Sequence, residues 1–186
     1  MTGRLLPHDW FPEPLPDNVL LGERNWLYSS FAFRHCQSRR PTAVRTDHDT
    51  GIYNGTFFDL GPEGEVSIGA YCTLVGAIIC SNSRIEIQDY VFIAHEVVLA
   101  DHFAAEPTWQ FSTKGQGWEA TDGAATSIFV GENAWIGARA VLLKGARIGE
   151  GAIVGAAAVV DFAVPPFAVV GGNPARIVRV LGEGSM

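Results

Sequence analysis

An apolar residue returns at every sixth position through the C-terminal half of the chain: Val130, Ile136, Leu142, Ile148, Val154 and Val160. An alanine stands four residues after each of the first five: Ala134, Ala140, Ala146, Ala152 and Ala158. Gly131, Gly137, Gly149 and Gly155 directly follow four of the same apolar residues. A helix turns about 100° per residue, so a step of six lands about 240° round the axis and no helical face holds the pattern. An even step in an extended chain keeps one face. Each short strand must then end in a turn, and glycine and small residues permit tight, often positive-φ conformations there. A fixed period of this kind predicts a solenoid whose repeats stack on one another.

The same spacing runs upstream with slips: Ile68, Leu74 and Cys80, then Ile87, Ile93 and Leu99 after a one-residue shift. Earlier come Leu21, Leu27 and Phe33, then Thr46, Ile52 and Phe58. The grouping in threes predicts about six coils of three short strands. Interruptions fall near 38–45, 59–67, 81–86 and 103–127, and a connection as long as the last is usually functional or disordered. Prolines and aromatics in 1–18 suit an N-terminal cap that blocks strand addition. Residues 19–172 read as the β-helix. Over 173–186, Asn173 as N-cap and Pro174 in the first helical position predict a short helix across 174–181, then a tail.

Composition narrows the function classes. The net charge of −7, without a Lys/Arg stripe, argues against nucleic acid. No apolar run reaches the roughly 20 residues of a membrane-spanning helix, and the N-terminus lacks a signal-peptide core. Cys36, Cys72 and Cys80 form no CxxC and are odd in number, as expected of reduced thiols in a cytoplasmic protein.

The stretch "IFVGENAWIGARAVLLKGARIGEGAIVGAAAVV", followed by "VPPFAVVGGNPARIVR", resembles the hexapeptide-repeat acyltransferases, and most the maltose-, galactoside- and nodulation-type O-acetyltransferases. The resemblance is specific over 128–179 and implies an all-β, left-handed parallel β-helix that works as a homotrimer. It implies transfer of acetyl from acetyl-CoA, with no metal, to a hydroxyl or amine of a small, sugar-like acceptor. In the family the catalytic histidine stands just before the long loop, in a Thr-His, Asn-His or Asp-His step. Here that step is Asp101-His102.

Imidazole titrates near neutrality, so His102 can take the acceptor's proton and return it to the leaving thiolate. Asp101 or Glu96 could orient the ring. His95, in the same run "VFIAHEVVLADH", is either the alternative base or an acceptor contact, or a polar turn residue or trimer contact. The coenzyme arm of relatives lies in a groove between two β-helices, which carries to Trp135, Ala138 and Ala156. The basic residues at the nucleotide end carry to Arg176 and Arg179, whose forks suit phosphate. Asp161 and Phe162 depart from the family's Thr and Lys, and the N-terminal helical segment of the sugar acetyltransferases is missing. Trp109, Phe111 and Trp118, in the 103–127 insertion, are candidates for the acceptor.

Two other readings stay open. A γ-type carbonic anhydrase needs three histidines round zinc; this chain has none after His102 and would need His48 or His35. A scaffold without catalysis could use the same fold.

Overall fold

In the computed structural model, residues 6–101 and 127–180 are described. The coil strands form three parallel sheets, each taking every third strand in chain order, and one final strand joins the second sheet antiparallel. The first sheet runs from Val19–Leu20 through Val44–Thr46, Glu65–Ile68, Arg84–Ile87, Ile128–Val130 and Arg147–Ile148 to Ala163–Val164. The second runs from Trp26–Leu27 to Ala168–Gly171, and the third from His35–Cys36 to Val159–Val160. The chain therefore winds through six full coils and begins a seventh: the left-handed β-helix of hexapeptide repeats.

Inward residues build the core, one on each short strand and two on longer ones such as Glu65–Ile68 and Arg84–Ile87. Thr46, Ile68, Ile87, Val130, Ile148 and Val164 stack on the first sheet. Leu27, Ile52, Leu74, Ile93, Ile136, Val154 and Val170 stack on the second. Phe58, Ile79, Leu99, Leu142 and Val160 stack on the third. The alanines of the hexad lie at the corners, fully buried. The one-residue slip sits inside the third coil, where the corner at Gly76 is one residue short. Ile79, and not Cys80, pairs with Phe58 and Leu99 and points inward.

All four interruptions fall at the corner from the third sheet back to the first, between Cys36 and Val44, Leu60 and Glu65, Ser81 and Arg84, and Ala100 and Ile128. That corner tolerates length because its residues lie outside the stacked ladders. The repeat glycines have a different task from the one their turns suggested. Positive φ falls instead two residues later, at Asn133 (56°), Arg139 (61°), Gly151 (61°) and Ala157 (57°). The glycines admit the next coil: a Cβ on Gly149 would meet the Pro166 nitrogen at 2.4 Å, and one on Gly137 the Ala156 nitrogen at 2.7 Å.

The helix expected over 174–181 is not formed. Arg176–Val180 is a strand, antiparallel to Ala168–Gly171. Three of its five residues, Ile177, Val178 and Val180, are β-branched and prefer a pleated strand. The last coil also presents an open sheet edge, and pairing it satisfies backbone groups that a helix would leave bare.

The N-terminal segment is stitched to the first coil. There a 3₁₀ turn, Ser30–Phe33, replaces the regular corner, capped by the Ser29 hydroxyl. Asp9 accepts from Ser29 Oγ (2.7 Å), Ser30 N (2.6 Å) and Phe11 N (2.9 Å). Partial burial pushes the Asp9 carboxyl up, but hydrogen bonds from Ser30, Phe11 and Ser29 outweigh it and hold the group at about 2.

Candidate functional site

The sequence candidates separate onto two corners of the triangular coil. His95, Glu96, Ala138 and Ala156 occupy the corner between the second and third sheets, on successive coils. Backbone bonds join them: Arg139 N donates to the His95 carbonyl (2.9 Å) and Ala157 N to the Ala138 carbonyl (2.9 Å). Ala138 is half-buried and Ala156 exposed, and among the described residues nothing accepts from their N–H groups. Small side chains there leave two backbone donors sterically open to a ligand.

The outer face of the second sheet continues this corner. Phe92, Trp135, Ile153 and Val169 lie in one register column, and Arg179 pairs with Val169 at its end. Trp135 is 54% exposed and meets Phe92 edge-on at 5.8 Å. Strands lie about 4.8 Å apart, so three rungs separate Trp135 from Arg179 by about 14 Å. Arg176 pairs with Gly171 where the last strand begins, and both arginines are exposed. The structure thus brings Trp135, Ala138, Ala156, Arg176 and Arg179 onto one face and its edge. The two arginines take their positions from a strand pair instead of the expected helix.

His95 is exposed beside Glu96, which has positive φ (57°). The Glu96 carboxylate is engaged by Arg139 Nε of the next coil at 2.7 Å, and both side chains are largely solvated.

Asp101 lies at the other corner, from the third sheet to the first. His95 and Asp101 stand at opposite ends of the strand Val98–Ala100, at most about 20 Å apart along an extended chain. Asp101 Oδ1 accepts from Asn82 N (3.0 Å), Oδ2 from Ser81 Oγ (2.6 Å), and the Ser127 hydroxyl closes on Oδ2 as well. Its carboxylate therefore ties the two ends of the 102–126 segment to each other and to the coil before. His102, Trp109, Phe111 and Trp118 lie outside the described residues.

Burial, then the charges of Asp59 and Asp101, pushes the Cys80 thiol up, and burial takes Cys72 to about 11. The remaining histidines have local partners. His8 stacks on Trp26, His35 meets Phe57 edge-on, and His48 bonds Asp49 at 2.7 Å. Among the described residues no His, Cys, Asp and Glu gather as a metal site would require. No helix of the described residues is long and apolar enough to cross a membrane.

Sequence reasoning missed one feature: a cavity of ≈190 Å³ between the first two coils, lined by Trp10, Tyr28, Phe31, Tyr53, Asn54 and Phe57 among others. Its only sequence signal is the density of aromatics in 10–57.

Comparison with known proteins gives the following. The family described as bacterial transferase hexapeptide (six repeats) matches residues 127–161. Chloramphenicol acetyltransferases of Agrobacterium fabrum and Escherichia coli are each 44% identical over 50 residues, 27% of this chain. Those matches span only 24% of the relatives' own length. The hexapeptide-repeat acetyltransferase VCA0836 of Vibrio cholerae O1 biovar eltor, solved with acetyl coenzyme A, superposes with a TM-score of 0.57 at 26% identity. That superposition covers 76% of this chain and 72% of the other. A variant of AntD, an N-acyltransferase from Bacillus cereus, shares the fold at a TM-score of 0.59 and 18% identity, over 88% of this chain and 84% of its own. Over 127–161 the chain carries the repeat of the bacterial hexapeptide transferases, on the fold that those solved structures share.

Proposed function

We propose that the protein is an acyltransferase that moves acetyl from acetyl-CoA to a hydroxyl or amine of a small acceptor. The observation that carries this reading is the continuous face of Trp135, Ala138, Ala156, Arg176 and Arg179, with two unengaged backbone donors in its middle. Acetyl-CoA in the VCA0836 structure supports it. The arginines suit the phosphates of the nucleotide end, the alanine N–H groups suit the amide carbonyls of the arm, and Trp135 flanks it.

In the reaction the acceptor oxygen or nitrogen attacks the thioester carbonyl. The new C–O or C–N bond forms as the C–S bond breaks. His102 takes the acceptor proton and delivers it to the thiolate, while binding both substrates side by side supplies positioning. His95 lines the acceptor side of the same groove. Asp101 and Ala138 stand at different corners of adjacent coils, so a groove that uses both His102 and Ala138 draws on two chains, in keeping with a homotrimer. Acceptors of the sugar and of the chloramphenicol kind, the latter from the Agrobacterium fabrum relative, form the screen.

The test is calorimetry with acetyl-CoA on wild type and on Arg176→Ala/Arg179→Ala. Micromolar binding, weakened at least about tenfold by the double variant, is the expected result. Absence of binding to the intact oligomer sinks the reading and leaves a scaffold.

A further inference from the structure

We infer that the cavity between the first two coils is a binding site for one aromatic ring, and that it seats the ring end of the acceptor. This second clause rests on the acyltransferase reading; the first does not. The cavity exists because the 3₁₀ turn Ser30–Phe33 takes the place of a regular corner in the first coil, while the second coil keeps its corner at Tyr53–Thr56. The mismatch leaves ≈190 Å³ with Leu27, Ala32 and Ile52 as floor. A cavity of about 150 Å³ accommodates a benzene ring, so this one takes a single six-membered ring and little more.

Its walls suit such a guest. Trp10, Tyr28, Phe31 and Tyr53 are all exposed at the rim, although large apolar side chains prefer burial. Aromatic faces and edges pair with a planar ring and add to what the buried area alone contributes. Asn54, exposed at the mouth, can offer an amide to a polar substituent. The wall is held in advance. Trp10 and Phe11 lie against Phe31 (5.5 and 5.2 Å), Phe31 against Phe57 (6.0 Å), and Asp9 ties this segment to Ser29 and Ser30.

Position links the cavity to the chemistry. Tyr53–Thr56, Gly76, His95, Ala138 and Ala156 follow one another up the same corner. His95 is two coils above Tyr53, about 10 Å at one strand spacing per coil. An acceptor with its nucleophile about 10 Å from its ring therefore reaches from the cavity to His95, and the donor face begins one coil further on.

The test uses 4-fluorobenzyl alcohol followed by fluorine NMR, with methyl glucoside as a ring without aromatic character. Wild type should bind the fluorinated ring saturably and the glucoside at least about tenfold more weakly. Trp10→Ala, on the exposed rim, should weaken ring binding about fivefold or more. Ala32→Leu, which fills the floor, should abolish it, and both should bind acetyl-CoA as wild type does. Failure of wild type to bind the ring, or binding unchanged by both variants, overturns the site. Dissociation of the oligomer by Trp10→Ala without any ring binding overturns it too, and gives the aromatics to a second copy of the chain. Ring binding without acetyl-CoA binding keeps the site, overturns its role as acceptor seat, and removes the acyltransferase reading.

Discussion

Asp101 offers the sharpest separation between a residue that does chemistry and one that holds the fold. Its carboxylate accepts from Ser81 Oγ, Asn82 N and Ser127 Oγ, and Ser127 follows directly on the 102–126 segment. Hydrogen bonds to a charged acceptor contribute about 1.5–3 kcal/mol each when buried and about 1 kcal/mol at a half-buried position such as Asp101. The Ser127 hydroxyl, with the Arg84 carbonyl also in reach at 2.7 Å, has one proton for two acceptors, so part of its bond survives the loss of Asp101. Asp101→Ala should then cost about 3 kcal/mol in all, and Ser127→Ala about 1–1.5 kcal/mol. For a chain of this size that is a fall in Tm of about 6–12 °C and about 2–6 °C. Because both variants remove the same bond, the double variant should fall short of the sum by about 1 kcal/mol. Thermal unfolding followed by circular dichroism, at one protomer concentration, measures the cycle. Acetyl-CoA binding should stay intact. Turnover should fall in Ser127→Ala as well as in Asp101→Ala, since both loosen the base of the segment that carries His102. Strict additivity would refute the clamp. So would a Ser127→Ala protein with full turnover beside an inactive Asp101→Asn, which would return Asp101 to direct work on the imidazole.

Three more outcomes follow from the coil geometry. Gly149→Ala should cost about 2–3 kcal/mol, because its Cβ meets the backbone of Pro165 and Pro166. Gly171→Ala, whose nearest neighbour is the Val178 side chain at 3.8 Å, should stay within about 0.5 kcal/mol of wild type; equal Tm values for the two would contradict the close-approach argument. Asp9→Asn should destabilise the first coil most at neutral pH. The folded carboxyl titrates at about 2 against a usual 3.8, so its contribution is complete above about pH 4 and lost as pH falls towards 2. A stability gap between variant and wild type that widens on acidification would reverse that sign. Mixed oligomers refolded from equal amounts of His102→Ala and Ala156→Trp, each expected to be inactive alone, should recover about a quarter of the sites if each groove of the proposed homotrimer is shared between chains. No recovery would confine the groove to one chain.

How far the sequence exposed all this depends on where each residue's environment is set. The inward ladder was readable because core residues recur at an even spacing in extended chain, so Val130 through Val160 report their burial directly. Cys80 misled because the short corner at Gly76 shifts the phase inside a coil, and Ile78–Ser81 then buries Ile79 and Ser81 on alternate positions. The final segment misled for another reason. Asn173 and Pro174 are good helix-start residues, but the open edge of the last coil outweighs a local cap, and "RIVRV" is made for an edge. The same change of state alters the argument for the donor site. In a helix, Arg176 and Arg179, three apart, would share a face for their own sake. In the strand, the shift in register between Val169 and Val170 is what sets the pairing of Arg176 with Gly171 and Arg179 with Val169. The phosphate end of the proposed donor face therefore depends on an irregular strand pair at the end of the solenoid. A spacing of three residues in the sequence could not have revealed that, and it makes the arginines sensitive to any change that slides this last strand by one residue.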